Sequence, residues 1–174
     1  MQYRLSSVQA CSLARALDVI GERWTLLIVR DALLGVTRFD GFLRSLGISR
    51  NILTDRLNTL VGAGVLDRVP YQDRPVRHEY HLTDRGRELV PVVLAVTQWG
   101  DRHLAGPQNP ARLVEHEGCG GPVRATVLCA DCDRPLAPTE VSSDPSPRLA
   151  ARHPQEQEAG RDTRNRWRSP ASVR

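Results

Sequence analysis

Four side chains in the C-terminal half of the chain have the types and spacing of metal ligands. Cys119, Cys129 and Cys132 stand as C-x9-C-x2-C, and His116 precedes the first of them by three residues. A C-x2-C pair brackets a turn that can put two thiolates on one metal. His116 and Cys119 form a second pair, so one imidazole and three thiolates are available for tetrahedral Zn2+. Asp131 or Asp133 competes with His116 for the fourth position, which can also stay open. No Glu or His is spaced as a general base beside these ligands, so the expected ion is structural, not catalytic. Reduced free cysteines, or a disulfide formed under stress, are the competing fates of the same residues.

A second chemistry is written at residues 47–63, GISRNILTDRLNTLVGA. Ser49 is a good helix N-cap, because its hydroxyl can accept a bond from an orphan amide of the first turn. Leu53, Leu57 and Leu60 recur at helical spacing with Val61 alongside, which makes one apolar stripe. The other face carries Arg50, Asn51, Thr54, Asp55 and Asn58. Short or forked polar groups near the start of a helix suit entry into a DNA major groove, where base edges offer donors and acceptors. An ordinary amphipathic surface helix presents the same pattern. The neighbouring elements have to decide.

Those elements read in order as follows. Residues 12–20 place Leu13, Ala16, Leu17 and Ile20 on one side of a short helix that Gly21 breaks. Residues 22–34 are apolar on much of their circumference, with Trp24, Leu27, Ile28, Leu33 and Leu34, and predict a buried central helix closed by Gly35. Residues 39–46 predict a third helix with Phe39, Phe42, Leu43 and Leu46 inward. Gly47 and Ile48 then turn tightly into the polar-faced helix, which Gly62 and Gly64 end. Helix, short glycine-containing turn, helix is the helix-turn-helix pattern. Residues 65–71 and 78–82 predict two strands joined by a loop over 72–77. A hairpin directly after such a helix is a wing, and Arg74 and Arg77 at its tip are placed to touch phosphates or reach a minor groove. A solvated arginine turn is the alternative for both. Thr83 caps a long helix predicted over 84–104, with Leu89, Val92, Val93, Val96 and Trp99 on its apolar face and a bend at Pro91. That helix exceeds what the core of a small winged domain needs. Its surplus apolar face predicts a dimerisation surface, and two-fold dimers match palindromic operators. The alternative is Trp99 folded back onto the first helix.

Composition bounds these readings. The chain has 174 residues, a formal net charge of +4 and no lysine. Residues 38–77 hold seven Arg against four Asp, whereas residues 107–141 hold three Arg against five acidic groups. A modest positive excess beside the candidate recognition helix suits a polyanion, without proving one. No apolar run is long enough to span a bilayer and no secretory leader is evident, so the expected location is cytoplasmic, without a membrane partner. Cysteines there favour metal binding or redox sensing over structural disulfides. No nucleophile–base pair and no phosphate-cradling glycine loop stands out, which argues against an enzyme.

The chain resembles the HxlR family of winged helix-turn-helix transcription regulators. The resemblance is carried by Cys11, by IGERWTLLIVRDALLG at 20–35, RFDGFLRSLGIS at 38–49, ILTDRLNTLVGAGVLDR at 52–68, PVRHEYHLTDRG at 75–86 and QWGD at 98–101. It implies homodimers, control of neighbouring genes and no catalysis. It also implies DNA contact by Ser49, Arg50, Asn51, Thr54, Arg56, Arg74 and Arg77. Arg56 borders the apolar stripe and has pairing with an acid as its alternative. Some members sense electrophiles or oxidants through a cysteine near the N-terminus, a position that Cys11 matches. Arg15 would favour its thiolate if folded over it, and a small buried hydrophobe is the competing reading. The C-terminal segment is similar to zinc-ribbon or rubredoxin-like knuckles, with 123–128 as its intervening strand and one C-x2-C where a full ribbon has two.

The sequence therefore predicts a mainly α fold with a small β-hairpin wing, a winged helix-turn-helix, plus a small zinc-ribbon-like appendage. The expected layout is a flexible arm over 1–10, the DNA-binding and dimerisation domain over 11–106, the zinc-ribbon-like segment over 107–141 and a disordered tail over 142–174. The expected function is a homodimeric regulator that binds palindromic double-stranded DNA, acts as a repressor or activator, and responds to redox stress or a small effector. The rival is a protein-interaction module that keeps the winged scaffold without specific DNA binding, which the acidic 107–141 segment would fit.

Overall fold

The computed structural model describes residues 11–104 and 114–141. The expectations for the N-terminal arm, the 105–113 linker and the tail beyond 141 lie outside these residues. The chain divides into two units, residues 1–124 and 125–174.

The first unit begins with four helices, α1 (Ser12–Ile20), α2 (Arg23–Leu33), α3 (Phe39–Leu46) and α4 (Arg50–Gly62). A two-stranded antiparallel hairpin follows, β1 (Leu66–Asp73) with β2 (Val76–Leu82), then α5 (Asp84–Arg87) and α6 (Val90–His103). This is the expected mainly helical fold with a hairpin wing. Its core gathers one stripe from each contributing element: Ile28 and Val29 of α2, Phe42 of α3, Leu53, Leu57 and Leu60 of α4, then Val65, Leu66 and Tyr80. The three α4 leucines are fully buried, as their spacing requires. Burying such side chains is worth about 1.5–3 kcal/mol each, so the stripe anchors α4 and leaves its polar face outward.

The turn between α3 and α4 rests on Gly47, which caps α3 at φ 63°. A side chain is disfavoured in that left-handed conformation, and glycine meets no such penalty. The next helix starts at once, because the Ser49 hydroxyl accepts from the Ile52 amide at 3.4 Å. Two local devices, at Gly47 and Ser49, thus end one helix and start the next.

Four expectations need correction. The hairpin loop is shorter than 72–77: both strands run on to Asp73 and Val76, with Arg74 and Pro75 between them. Backbone pairing continues past the apolar alternation because the Gln72 amide staples the turn, donating to the Arg74 carbonyl at 3.0 Å. The helix over 84–104 is two helices, α5 and α6, with Pro91 in the first turn of α6. A proline lacks the amide that a helix interior needs, whereas a first turn leaves that amide unpaired anyway. In α2 the deeply buried positions are Thr25, Ile28, Val29 and Asp31. Trp24, Leu27 and Leu33 are half-buried and Leu34 is exposed, because the remaining circumference has too few neighbours to cover it. No strand forms over 123–128; among the described residues 114–141 hold only isolated bridges and one 3-10 turn, Pro138–Glu140.

Thr83 acts as the expected cap, and does more. Its hydroxyl accepts from the Gly86 amide at 3.0 Å and donates to the Gly64 carbonyl at 2.7 Å. One side chain starts α5 and ties it to the end of α4.

Candidate nucleic-acid interface

The link before α3 joins the wing. The Tyr80 amide donates to the Thr37 carbonyl at 2.8 Å, and Arg38 forms an isolated antiparallel bridge with Glu79 of β2. The Arg38 guanidinium donates to the Glu79 carboxylate at 2.9 Å and lies 4.6 Å over the ring of Tyr71. That hydrogen bond holds the Glu79 carboxyl below its ordinary range and raises Arg38 above its own. The wing is thereby fixed to the body at a point forty-one residues away in sequence.

Between this wing and the start of α4 lies an open groove of about 610 Å3. Arg38, Arg44, Arg50 and Arg77 line it against a single carboxylate, Asp40. Arg50 is held at 3.3 Å from Asp40 and stacks 5.7 Å over Phe39. Four guanidiniums around one concavity form an anion-attracting surface, and guanidinium forks suit phosphates and guanine edges alike.

Of the residues singled out by sequence, Arg50 and Arg77 line the groove. Asn51 is exposed on the first turn of α4. Thr54 is exposed, but its hydroxyl already donates to the Arg50 carbonyl at 2.8 Å, so that oxygen keeps only acceptor capacity. Ser49 serves its own helix as cap. Arg74 is exposed at the hairpin turn. Arg56 is half-buried and faces Glu22 at 4.0 Å, the acid partner left open for it. Sequence reasoning placed none of Arg38, Arg44, Tyr71, His78 or Glu79 among the DNA-contacting residues. The arginines among them were visible only as a local excess of charge.

Cys11 is exposed at the N-terminus of α1. Arg15 donates to the Ser12 hydroxyl at 3.3 Å, a competing partner for the guanidinium that sequence placed over the thiol. The metal-ligand candidates are brought together in pairs. His116 Nδ1 lies 3.2 Å from Cys119 Sγ. The Cys129 sulfur accepts backbone amides of Asp131 and Cys132 and a bond from the Cys132 side chain, which together hold its thiol below the usual value. Among the described residues no three or more His, Cys, Asp and Glu side chains are gathered as one group.

Comparison with known proteins places this geometry. A model described as HxlR-like helix-turn-helix matches residues 19–108. A relative from Mycobacterium tuberculosis, an uncharacterized HTH-type transcriptional regulator, is 43% identical over 141 residues, covering 81% of this chain and 89% of the relative. Only eighteen residues precede the family match, so a similarity of that length must run well past residue 108. The structure of a protein from Pseudomonas aeruginosa, described as a putative transcription factor, is 38% identical, with a TM-score of 0.57, and covers 90% of this chain and 99% of its own. The redox regulator HypR in its reduced form is 33% identical with a TM-score of 0.50, covering 55% of this chain and 98% of HypR. No described helix is long and apolar enough to cross a membrane. By matched length, identity and fold, the chain belongs to the HxlR-like helix-turn-helix family of winged-helix transcriptional regulators.

Proposed function

We propose that the protein binds palindromic operator DNA as a homodimer, with α4 in the major groove and the wing on the flanking backbone. The observation that carries this reading is the arginine-lined groove between the α4 N-terminus and the hairpin. Asn51 and the acceptor oxygen of Thr54 extend it along the exposed face of the helix. Arg50 and Asn51 read base edges; Arg77 and Arg74 hold phosphates and set the register. Ser49 contributes as the cap that ends the turn at the DNA. Arg56 acts from behind, as a brace to Glu22.

Dimerisation is supported by apolar side chains that the first unit leaves open. Leu13 and Leu17 of α1 are 67% and 51% exposed, and Val96 and Trp99 of α6 are 55% and 52% exposed. Trp99 is therefore available to a second copy. Such uncovered apolar area is a feature of association surfaces. A two-fold axis through this surface would present two copies of α4 to successive major grooves.

Control by oxidation is the regulatory part of the same proposal. It is supported by the exposure of Cys11 and by the likeness to the redox regulator HypR. Oxidation of the thiol to a sulfenic acid, or a bridge to the partner's cysteine, would act beside the open face of α1 and change the spacing of the two recognition helices.

The test is an anisotropy titration of the purified protein against the DNA upstream of its own gene, reduced and after diamide, over a salt series. Tight binding to one palindromic fragment that is lost on oxidation, and kept in Cys11→Ser, supports the whole reading. Binding indifferent to diamide removes the cysteine switch and keeps the regulator. No preference over random DNA, with or without candidate effectors, overturns specific operator binding and favours a protein-docking role for the winged scaffold.

A further inference from the structure

Residues 114–123 and 127–136 trace the same turn twice. Val114, His116, Cys119, Pro122 and Val123 recur thirteen residues on as Val127, Cys129, Cys132, Pro135 and Leu136. The backbone repeats with them. His116 donates its amide to the Gly121 carbonyl at 2.8 Å, and Cys129 to Arg134 at 3.0 Å. Gly120 donates to His116 at 2.8 Å, and Asp133 to Cys129 at 2.9 Å. Val123 donates to Val114 at 2.8 Å, and Leu136 to Val127 at 2.9 Å. Each turn is closed by an antiparallel bridge, Glu115 to Pro122 and Leu128 to Pro135.

The residue after each second ligand is left-handed. Gly120 has φ 68° and Asp133 has φ 53°, the one non-glycine with positive φ among the described residues. Glycine and, among other residues, aspartate are the types that enter that region, so both turns can take the same left-handed step. The interior of each turn faces its donors. At the first, a Cβ on Gly118 would stand 2.9 Å from His116 Cε1, and one on Gly121 would stand 3.3 Å from Cys119 Sγ. Glycine at both leaves the ring and the sulfur clear. At the second, backbone amides of Asp131 and Cys132 point at the Cys129 sulfur and fix its direction.

Apolar burial does not explain this construction. No residue between 114 and 141 is fully buried, and Cys119 and Cys132 are exposed. Donors on one tetrahedral ion, at about 2.0–2.3 Å from it, stand roughly 3.5 Å apart. The 3.2 Å between His116 Nδ1 and Cys119 Sγ is close to that spacing. Thiolate-rich sets with one imidazole select Zn2+ over hard oxygen-seeking cations.

We propose that the two turns are paired knuckles that close on one structural Zn2+, with His116 and Cys119 from the first and Cys129 and Cys132 from the second. Each knuckle brings two donors already oriented, and the ion completes the set of four. His116 takes the place of the first cysteine of a C-x2-C knuckle, which is why only one such motif is visible in the sequence. The free energy of metal binding holds the segment in place of a core.

The full chain, purified under reducing conditions, should carry about one zinc per chain by atomic emission. Removing the zinc and adding Co2+ should give the intense visible bands of a tetrahedral thiolate site. Cys119→Ser and Cys132→Ser, one from each knuckle, should each weaken zinc binding by more than about a hundredfold, beyond what losing a ligand's hydrogen-bond partner costs. His116→Cys should keep the stoichiometry and shift the cobalt bands as a fourth thiolate replaces the imidazole. Far-UV circular dichroism of each variant checks that the winged unit is folded. A folded protein without zinc that forms no tetrahedral cobalt site overturns the proposal. So does full zinc affinity in either serine variant, because one knuckle would then suffice or the donors would lie elsewhere.

Discussion

The winged unit and the knuckle segment solve the problem of holding a shape in opposite ways. In the first, nine residues from five stretches of chain, Phe42 and Tyr80 among them, bury their side chains together, and the polar groups proposed to meet DNA stand on the outside of that core. In the second, almost every side chain is exposed and the shape is carried by short backbone hydrogen bonds around donor atoms. The contrast shows what a short segment needs when it cannot remove enough apolar surface from water: another source of folding free energy, which a metal can supply.

The largest expected effect falls on the core. Leu57→Ala truncates a fully buried side chain and should lower stability by about 2–5 kcal/mol, read from the urea midpoint. Removing metal with a chelator should leave that midpoint in place while changing the signals of the knuckle segment. If the chelator moves the midpoint as far as Leu57→Ala does, the two regions are not built separately and the contrast fails.

Next in size are the groups on the outer face of α4. Arg50→Ala or Asn51→Ala should each cost about 1–3 kcal/mol in operator binding, concentrated at particular base pairs, with little change in the unfolding midpoint. An equal loss on every sequence would mean that these residues hold phosphates instead. The wing should respond differently. Arg77→Ala should weaken all DNA alike and reduce the slope of log affinity against log salt by about one. An altered base preference in Arg77→Ala would show that the wing reads sequence.

The smallest effect concerns the Arg38–Glu79 clasp. The Glu79 carboxyl titrates lower in the folded chain than when unfolded, chiefly because Arg38 donates a hydrogen bond to its charged form. Its contribution is therefore present above the ordinary carboxylate range and lost as pH falls through the depressed folded value. Wild type and Glu79→Gln should differ slightly in thermal midpoint at pH 7 and converge in acid. A gap that persists in acid would mean that the glutamate acts by packing, not charge.

Much of the winged unit was legible because its signals are local. The stripe Leu53, Leu57 and Leu60, the cap at Ser49, the glycine at 47 and the cap at Thr83 each act within one or two helical turns. Pro91 was legible too, and its position in the first turn of a new helix follows from the same missing amide that suggested a bend. The groove was less legible. Arg38, Tyr71 and Glu79 are scattered, and nothing near any of them announces the others. Both knuckles were written in the sequence as V-x-[HC]-x-x-C-x-x-P, but a histidine in place of a cysteine in the first hid the repeat until the backbone displayed it.

By itself, then, the sequence determined the order of helices and wing, the leucine face that α4 buries, the polar face it leaves out and the thiol and imidazole chemistry of the four residues proposed as metal ligands. These depend on spacings of three or four residues and on side-chain chemistry that travels with each residue. Only the tertiary structure decided that Arg56 turns to Glu22, that Arg38 clasps the wing, that four arginines share one concavity and that two turns have the same path. Those outcomes require distant segments to meet, or a backbone conformation such as that of Asp133 that its residue type does not impose. The packed core fixes the meetings and hydrogen bonding fixes the turns, and neither is written in the neighbours of a residue.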